Sequence, residues 1–257
     1  NETKTNYIHL DMLYNIKLDS LLFIDIETAP NTRSFDELSE QMQYLWAKKT
    51  KDERASGNNG DEISPSSFYD ERAALYPEFG RIVCISVGIT RYSRGKNEFI
   101  TKSYCSEDEK RLLNEFNAMI TSYWTDNKMY CGHNIKEFDM PFIAKRMMIN
   151  GIRMHMSLFV AGKKPWEVSF LDTLELWRSG SYKGSASLEL LAGVFGIPTP
   201  KDDIYGADVR NVFYEEKNLE RISTYCQKDV VTTAQVLLKM HGLEPIKESN
   251  ILFKGRY

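Results

Sequence analysis

Long apolar runs are missing from this chain. No stretch approaches the roughly 18 consecutive apolar residues of a membrane span, so no transmembrane helix and no membrane partner are expected. Cysteine is scarce: the four, Cys84, Cys105, Cys131 and Cys226, include no C-x-x-C pair. That spacing offers neither a zinc pattern nor a disulfide framework, and a reducing, cytoplasmic setting is the simplest expectation. A surplus of basic charge is also missing, since 33 Lys and Arg face 36 Asp and Glu for a net charge of −3. The basic footprint that usually marks a nucleic-acid binder is therefore not seen. Carboxylates neutralised by divalent cations would escape such a count, so nucleic acid stays open as a partner. The N-terminal segment lacks the basic-then-apolar layout of a signal peptide. The chain opens on Asn1 and not on Met, which leaves a trimmed leader or a tag remnant open.

What is present suits one elaborated domain with a real core: 257 residues, 42% hydrophobic and 27% charged. Residues 20–27 read as a buried strand ending in a turn at Ala29-Pro30. Residues 34–54 are helix-like, with Phe35, Leu38, Met42 and Leu45 three or four apart, and "ASGNNGDEISPSS" (55–67) reads as a mobile polar loop. Residues 31–78 are therefore expected to be an insertion between strands of a single domain spanning 1–257.

Two strands, 81–90 and 97–105, should pair antiparallel across "SRGKN". A helix at 107–124 is opened by Ser106, with Glu109 three residues on in a capping-box pattern. A short strand at 128–134, a helix at 140–150, a strand running into a helix at 169–177, a helix at 187–195 and a long helix at 218–241 complete the series. A meander followed by alternating strands and helices predicts an α/β fold, a mixed sheet with helices on both faces.

In "LLFIDIETAP" the apolar run ends in two carboxylates, Asp25 and Glu27, separated by Ile26. Strand alternation turns both acids to one face, and a buried unpaired carboxylate is costly. In "GHNIKEFDMPFI", Asp139 stands at a helix start with Pro141 in the first turn, where an Asp is also an ordinary cap. In "YCQKDVVTTAQVLL", Tyr225 and Asp229 are four apart and share a helix face. Tyr7/Asp11 and Tyr104/Asp108 have that spacing too, but only Tyr225/Asp229 lies inside a long helix with an apolar stripe, here Ile222, Cys226, Val230 and Leu237.

Taken in order, these three segments resemble the DEDDy branch of the ribonuclease-H-like 3′–5′ exonucleases. "FIDIET", "HNIKEFD" and "YCQKD" look like the first, second and third exonuclease motifs, the second in the N-x-x-x-F-D form of the family-B DNA polymerase proofreading domain. The wording of "FGRIVCISVG", "LAGVFGIP" and "YCQKDVVTT" is similar to that of predicted exonucleases related to that domain. The resemblance covers about residues 20–241, apart from most of the insertion.

The resemblance implies a ribonuclease-H-like fold and two divalent cations, Mg²⁺ or Mn²⁺, which suit carboxylate and water oxygens. Two such ions about 3.5–4 Å apart serve in-line displacement at phosphorus. By the same resemblance, Asp25 would bridge both cations, Glu27 and Asp229 would complete the water-activating site, and Asp139 would support the second ion. Tyr225 would orient the attacking water. A related branch carries His in place of that Tyr, but His133 lies too early and His241 too late in the chain. Thr28, Asn134 and Phe138 sit where family members contact or wall the substrate strand; a Thr at a strand end is otherwise unremarkable, and Phe138 could equally be core. Trp166 and Tyr182, beside Lys163, Lys164, Arg178 and Lys183, are stacking candidates on a surface that could simply be solvated. Asp172 reads as a helix cap. The implied substrate is single-stranded nucleic acid with a free 3′ end. The leading expectation is a DNA exonuclease, with an exoribonuclease or a catalytically silent binding module as alternatives and a polymerase in trans as a candidate partner.

Overall fold

The computed structural model describes residues 17–55, 62–93, 95–164, 167–181, 184–198 and 204–254. Strand β1 (Leu21–Pro30) is the centre of a six-stranded sheet with β2 (Gly80–Ser93), β3 (Lys96–Cys105), β4 (Met129–Gly132), β5 (Phe170–Asp172) and β6 (Ile251–Lys254). The spatial order is β5-β4-β1-β2-β3-β6. β1–β2 and β2–β3 are antiparallel, whereas β1–β4, β4–β5 and β3–β6 are parallel. This is the mixed sheet that the element order predicts. Edge strand β6, which short periodicity did not reveal, extends it beyond the expected set.

Alternation along β1 builds two cores. Leu22, Ile24 and Ile26 face helices α3 (Glu109–Tyr123) and α4 (Asp139–Ile149), meeting Leu112, Phe116, Met140, Phe142 and Ile143. Leu21 and Phe23 face the opposite way, onto Val230, Ala234 and Leu237 of the last helix, Leu219–Met240. Each fully buried Leu, Ile or Phe contributes about 1.5–3 kcal/mol, so β1 is anchored from both sides and its register is fixed. That long helix lies close to the sheet because Gly88, opposite Phe23, has no side chain. A Cβ there would come within 2.5 Å of the Phe99 ring and 2.7 Å of Val230.

The insertion between β1 and β2 carries its own small core, and its helix differs from expectation. Helix α1 (Glu40–Lys49) starts late, because the Ser39 hydroxyl caps it by accepting the Met42 N–H. Phe35 belongs to a preceding 3₁₀ turn, and a separate short turn covers Lys51–Arg54. The apolar phase is therefore set by Met42 and Trp46, leaving Leu45 exposed. Trp46 packs among Phe68, Tyr69, Tyr76 and Phe79 with ring centroids 5.0–5.9 Å away. Its indole N–H donates to the Pro65 carbonyl at the start of α2 (Pro65–Arg72). Residues 56–61 of the expected loop lie outside the described residues.

Helix α3 also begins differently. Asp108 is its cap, accepting the Arg111 N–H at 3.1 Å, while Ser106 stands two residues outside and accepts the Asp108 N–H. Glu109 closes no capping box. Its buried carboxylate takes the Ile82 N–H at 2.7 Å, the Arg146 guanidinium at 2.8 and 2.5 Å and the Asn150 amide at 2.9 Å. One ion pair thus ties β2, α3 and α4 together. Short helices α5 (Thr173–Arg178) and α6 (Leu188–Val194) follow β5 and precede the long helix, α7 (Leu219–Met240). Among the described residues no helix is long and apolar enough to cross a membrane.

Candidate active site

Asp25 and Glu27 stand on the α7 face of β1, past the point where β4 stops pairing. The β1–β4 ladder runs only from Leu21↔Met129 to Phe23↔Cys131. Beyond it β4 turns away at Gly132, where a Cβ would overlap the Ile135 side chain and lie 2.8 Å from the Ile24 carbonyl. Two parallel strands separating in this way open a crevice at their carboxyl ends, the usual place for a site in an open α/β sheet. On the other side β2 carries a bulge, where the register slips between Glu27↔Cys84 and Thr28↔Ile82. Bulges commonly re-aim side chains beside active sites.

The crevice leaves the Ile26 N–H without a ladder partner, and the Asp139 carboxylate supplies the acceptor at 3.1 Å. Asp139 is the first residue of α4 and is buried. Although α4 packs on the opposite face of the sheet, its first side chain reaches the open edge of β1 between the two acids. From the other face, α7 presents Tyr225 and Asp229, both half-buried and joined by a side-chain hydrogen bond. Cys226, buried between them, lies with its Sγ 3.3 Å from Asp25 Oδ2 and 3.4 Å from the Asp25 carbonyl oxygen.

The electrostatics carry one sign. Among the described residues no Lys, Arg or His forms an ion pair with Asp25, Glu27 or Asp139. Burial, followed by repulsion from Glu27, Asp229 and Asp139, holds the Asp25 carboxyl well above the ordinary range. Burial does the same to Glu27, with Cys226, Asp229 and Asp139 adding to it. Burial pushes Asp139 up to about 7, against the lowering effect of its backbone donors. Burial and the charges of Asp229, Glu27 and Asp25 raise the Tyr225 phenol, which therefore stays protonated. Buried carboxylates pushed this way favour protons or cations.

The three proposed substrate contacts have structural duties as well. Thr28 is buried at the bulge, and alternation turns its side chain away from the Asp25/Glu27 face. Asn134 holds a left-handed φ of 61° and accepts the Phe138 N–H on its carbonyl, building the turn into α4. Phe138 is half-buried, its ring 5.4 Å from that of Phe142. Asp172 caps α5 by accepting the Leu174 N–H, but it does more than the sequence suggested. The same carboxylate accepts the Asn134 and Lys136 N–H groups, clamping the loop that delivers Asp139. Only its short spacing to the helix start was visible in sequence; the loop contact spans 36 or more residues. His133 braces the same loop, its ring bonded to the Thr173 hydroxyl and the Ala186 carbonyl. Of the stacking candidates, Trp166 and Tyr182, with Lys183, lie outside the described residues, and Arg178 pairs with Glu137 at 3.8 Å.

Fold and crevice together define an α/β protein of ribonuclease-H-like architecture, with acids gathered at the end of its central strand. Over residues 75–248 the chain matches, and belongs to, the family of predicted 3′–5′ exonucleases related to the exonuclease domain of PolB. That span contains Asp139, Tyr225 and Asp229, and β1 lies ahead of it. Among solved structures the chain is similar to the family B DNA polymerase from the hyperthermophilic archaeon Pyrobaculum calidifontis. The TM-score is 0.50 at 16% identity, over 85% of this chain and 24% of the polymerase chain. The likeness is one of fold, and this chain spans about a quarter of the polymerase's length. No curated protein matches it.

Proposed function

We propose that this chain is a metal-dependent 3′–5′ exonuclease that hydrolyses single-stranded DNA from its free 3′ end by a two-metal-ion mechanism. The observation that supports it most is the convergence of Asp25, Glu27, Asp139 and Asp229 around one strand end without a protein cation on the first three among the described residues. The four acids supply an all-oxygen donor set, which fits Mg²⁺ or Mn²⁺. Such cations, when bound, supply neutralisation of phosphate charge and make water a usable nucleophile near neutral pH.

The chain's own groups then act as follows. Asp25, at the centre of the cluster, would hold both cations, Glu27 and Asp229 one of them and Asp139 the other. Tyr225, protonated and bonded to Asp229, holds the attacking water by its hydroxyl and does not accept a proton from it. Thr28, Asn134 and Phe138 wall the terminal nucleotide, Thr28 partly through its backbone. Residues 1–257 act as one exonuclease domain with an insertion at about 31–78, and a polymerase acting in trans is a candidate partner.

The test is metal-dependent release of mononucleotides from labelled DNA and RNA oligonucleotides of matched sequence, each with a 3′-blocked control. DNA should be trimmed from the open 3′ end only. Faster trimming of RNA would replace the substrate, and indifference to the block would remove the direction. Asp25→Ala, Asp139→Ala and Asp229→Ala should each abolish trimming, and near-normal activity in any one would remove that residue from the site.

A further inference from the structure

The four acids do not account for all the donor atoms in the crevice. Ligand atoms of Asp25, Glu27 and Cys226 lie within 4.8 Å of one another. Cys226 is fully buried and places its Sγ 3.3 Å from Asp25 Oδ2. Glu27 is only 7% exposed and receives no side-chain hydrogen bond or ion pair among the described residues. Two further thiols back this group: Cys84 stands opposite Glu27 across β1–β2, and Cys105 stands opposite Cys84 across β2–β3. A buried carboxylate without a partner, a second carboxylate and a sulfur at ligand spacing form a mixed donor set.

We propose that Asp25, Glu27 and Cys226 form an oxygen–oxygen–sulfur site that takes a thiophilic divalent cation of the zinc class in preference to Mg²⁺. It shares Asp25 and Glu27 with the function proposed above and rests on that reading of the crevice. Hard cations leave the thiol protonated and bonded to Asp25, because they gain little from sulfur. A zinc-class ion gains a thiolate ligand. The balance is simple: the S–H bond breaks, its proton passes to water, an S–metal bond forms, and nothing is oxidised or reduced. Such an ion draws Asp25 into a sulfur-bearing set and inhibits trimming, reversibly, on addition of a chelator.

The experiment uses the full chain, stripped of metal, with Co²⁺ and Cd²⁺ as probes. Both give thiolate-to-metal charge-transfer absorption, which oxygen-only sites lack. Wild type should show the band at one equivalent. Cys226→Ser and Cys226→Ala should lose it and bind Zn²⁺ at least about 10-fold more weakly, and Asp25→Asn, with Cys226 intact, should also lose it. Cys84→Ser and Cys105→Ser should keep it. A wild type without the band, a band that survives both Cys226 variants, or one that disappears with Cys84 or Cys105 instead would overturn the proposal. Mn²⁺ binding, followed by its magnetic resonance signal, separates the two readings. Mn²⁺ bound without any thiolate band sinks the sulfur site alone, whereas binding of neither class of ion sinks both.

Discussion

The Asp139 carboxylate accepts the main-chain N–H of Ile26, the residue between Asp25 and Glu27, at 3.1 Å. An acid from a helix on one face of the sheet is thereby held against two acids that point to the other face. The bond satisfies a strand N–H that β4 no longer reaches, and it also sets the spacing of the acidic cluster. A hydrogen bond needed by the strand and a spacing needed by the proposed site thus rest on one side chain. Four outcomes test these arrangements.

The first concerns pH. With its pKa raised to about 7 in the folded protein, against about 3.9 in an unfolded chain, Asp139 binds its proton more tightly when folded. That stabilisation is complete below about pH 4 and is lost as pH rises through about 7. Asp139→Asn keeps an oxygen for the Ile26 N–H and cannot ionise. Without metal, its stability relative to wild type should rise steadily from pH 4 to pH 7, by about 2–4 °C in Tm per kcal/mol, while trimming is lost. The difference between the two proteins isolates Asp139 from His133, whose lowered pKa works in the opposite sense. Saturating Mn²⁺ should raise wild-type Tm more at pH 8 than at pH 5. A melting difference independent of pH would show that Asp139 does not titrate in this window.

The second concerns Tyr225. Its raised phenol pKa means that it orients without exchanging a proton. Tyr225→Phe should lower kcat by about 100-fold with little change in KM, and the pH–rate profiles of the two proteins should run parallel. An alkaline limb that disappears in the variant would make Tyr225 an acid–base group instead.

Asp172 provides the third. It holds three N–H groups of the loop and of α5, so Asp172→Ala should cost about 1–3 kcal/mol in urea unfolding. Because the loop delivers Asp139, kcat should fall further than KM changes, and Asp172→Asn should recover part of both. Loss of stability with unaltered kcat would confine Asp172 to capping.

The buried pair Glu109–Arg146 gives the fourth. Glu109→Ala leaves the guanidinium buried without its partner, although Arg146 still donates to the Pro77 carbonyl. The expected cost is about 3–5 kcal/mol. Glu109→Ala combined with Arg146→Met should cost less than the two single changes added together. Simple additivity in a double-mutant cycle would mean that the two groups act independently.

Much of this was legible in the chain itself. The alternation of Leu21 to Glu27 told which face the first two acids share, and the stripe of Ile222, Cys226, Val230 and Leu237 became the sheet-facing side of α7. What local pattern could not carry was distance. The reach of Asp139 depends on where β4 stops pairing, and the clamp of Asp172 joins residues 36 or more apart. The phase of α1 depended on Ser39 beginning the helix after Phe35 and Leu38, which exchanged Leu45 for Trp46 at the core. Cys226, read only as part of an apolar stripe, proved to touch Asp25. The 3₁₀, α and π turns between Gly206 and Glu216 have no clean period to read.

The excursion between β1 and β2 leaves and rejoins the sheet at neighbouring points, where the Asn31 N–H donates to the Phe79 carbonyl at 2.7 Å. Its aromatic centre around Trp46 is separate from the two cores that hold β1. Loop-closure entropy grows only slowly with length, so the sheet is nearly indifferent to how long this detour is. The fold behaves at that point like a socket, able to receive side modules of different size and purpose while the strand that carries Asp25 and Glu27 keeps its shape.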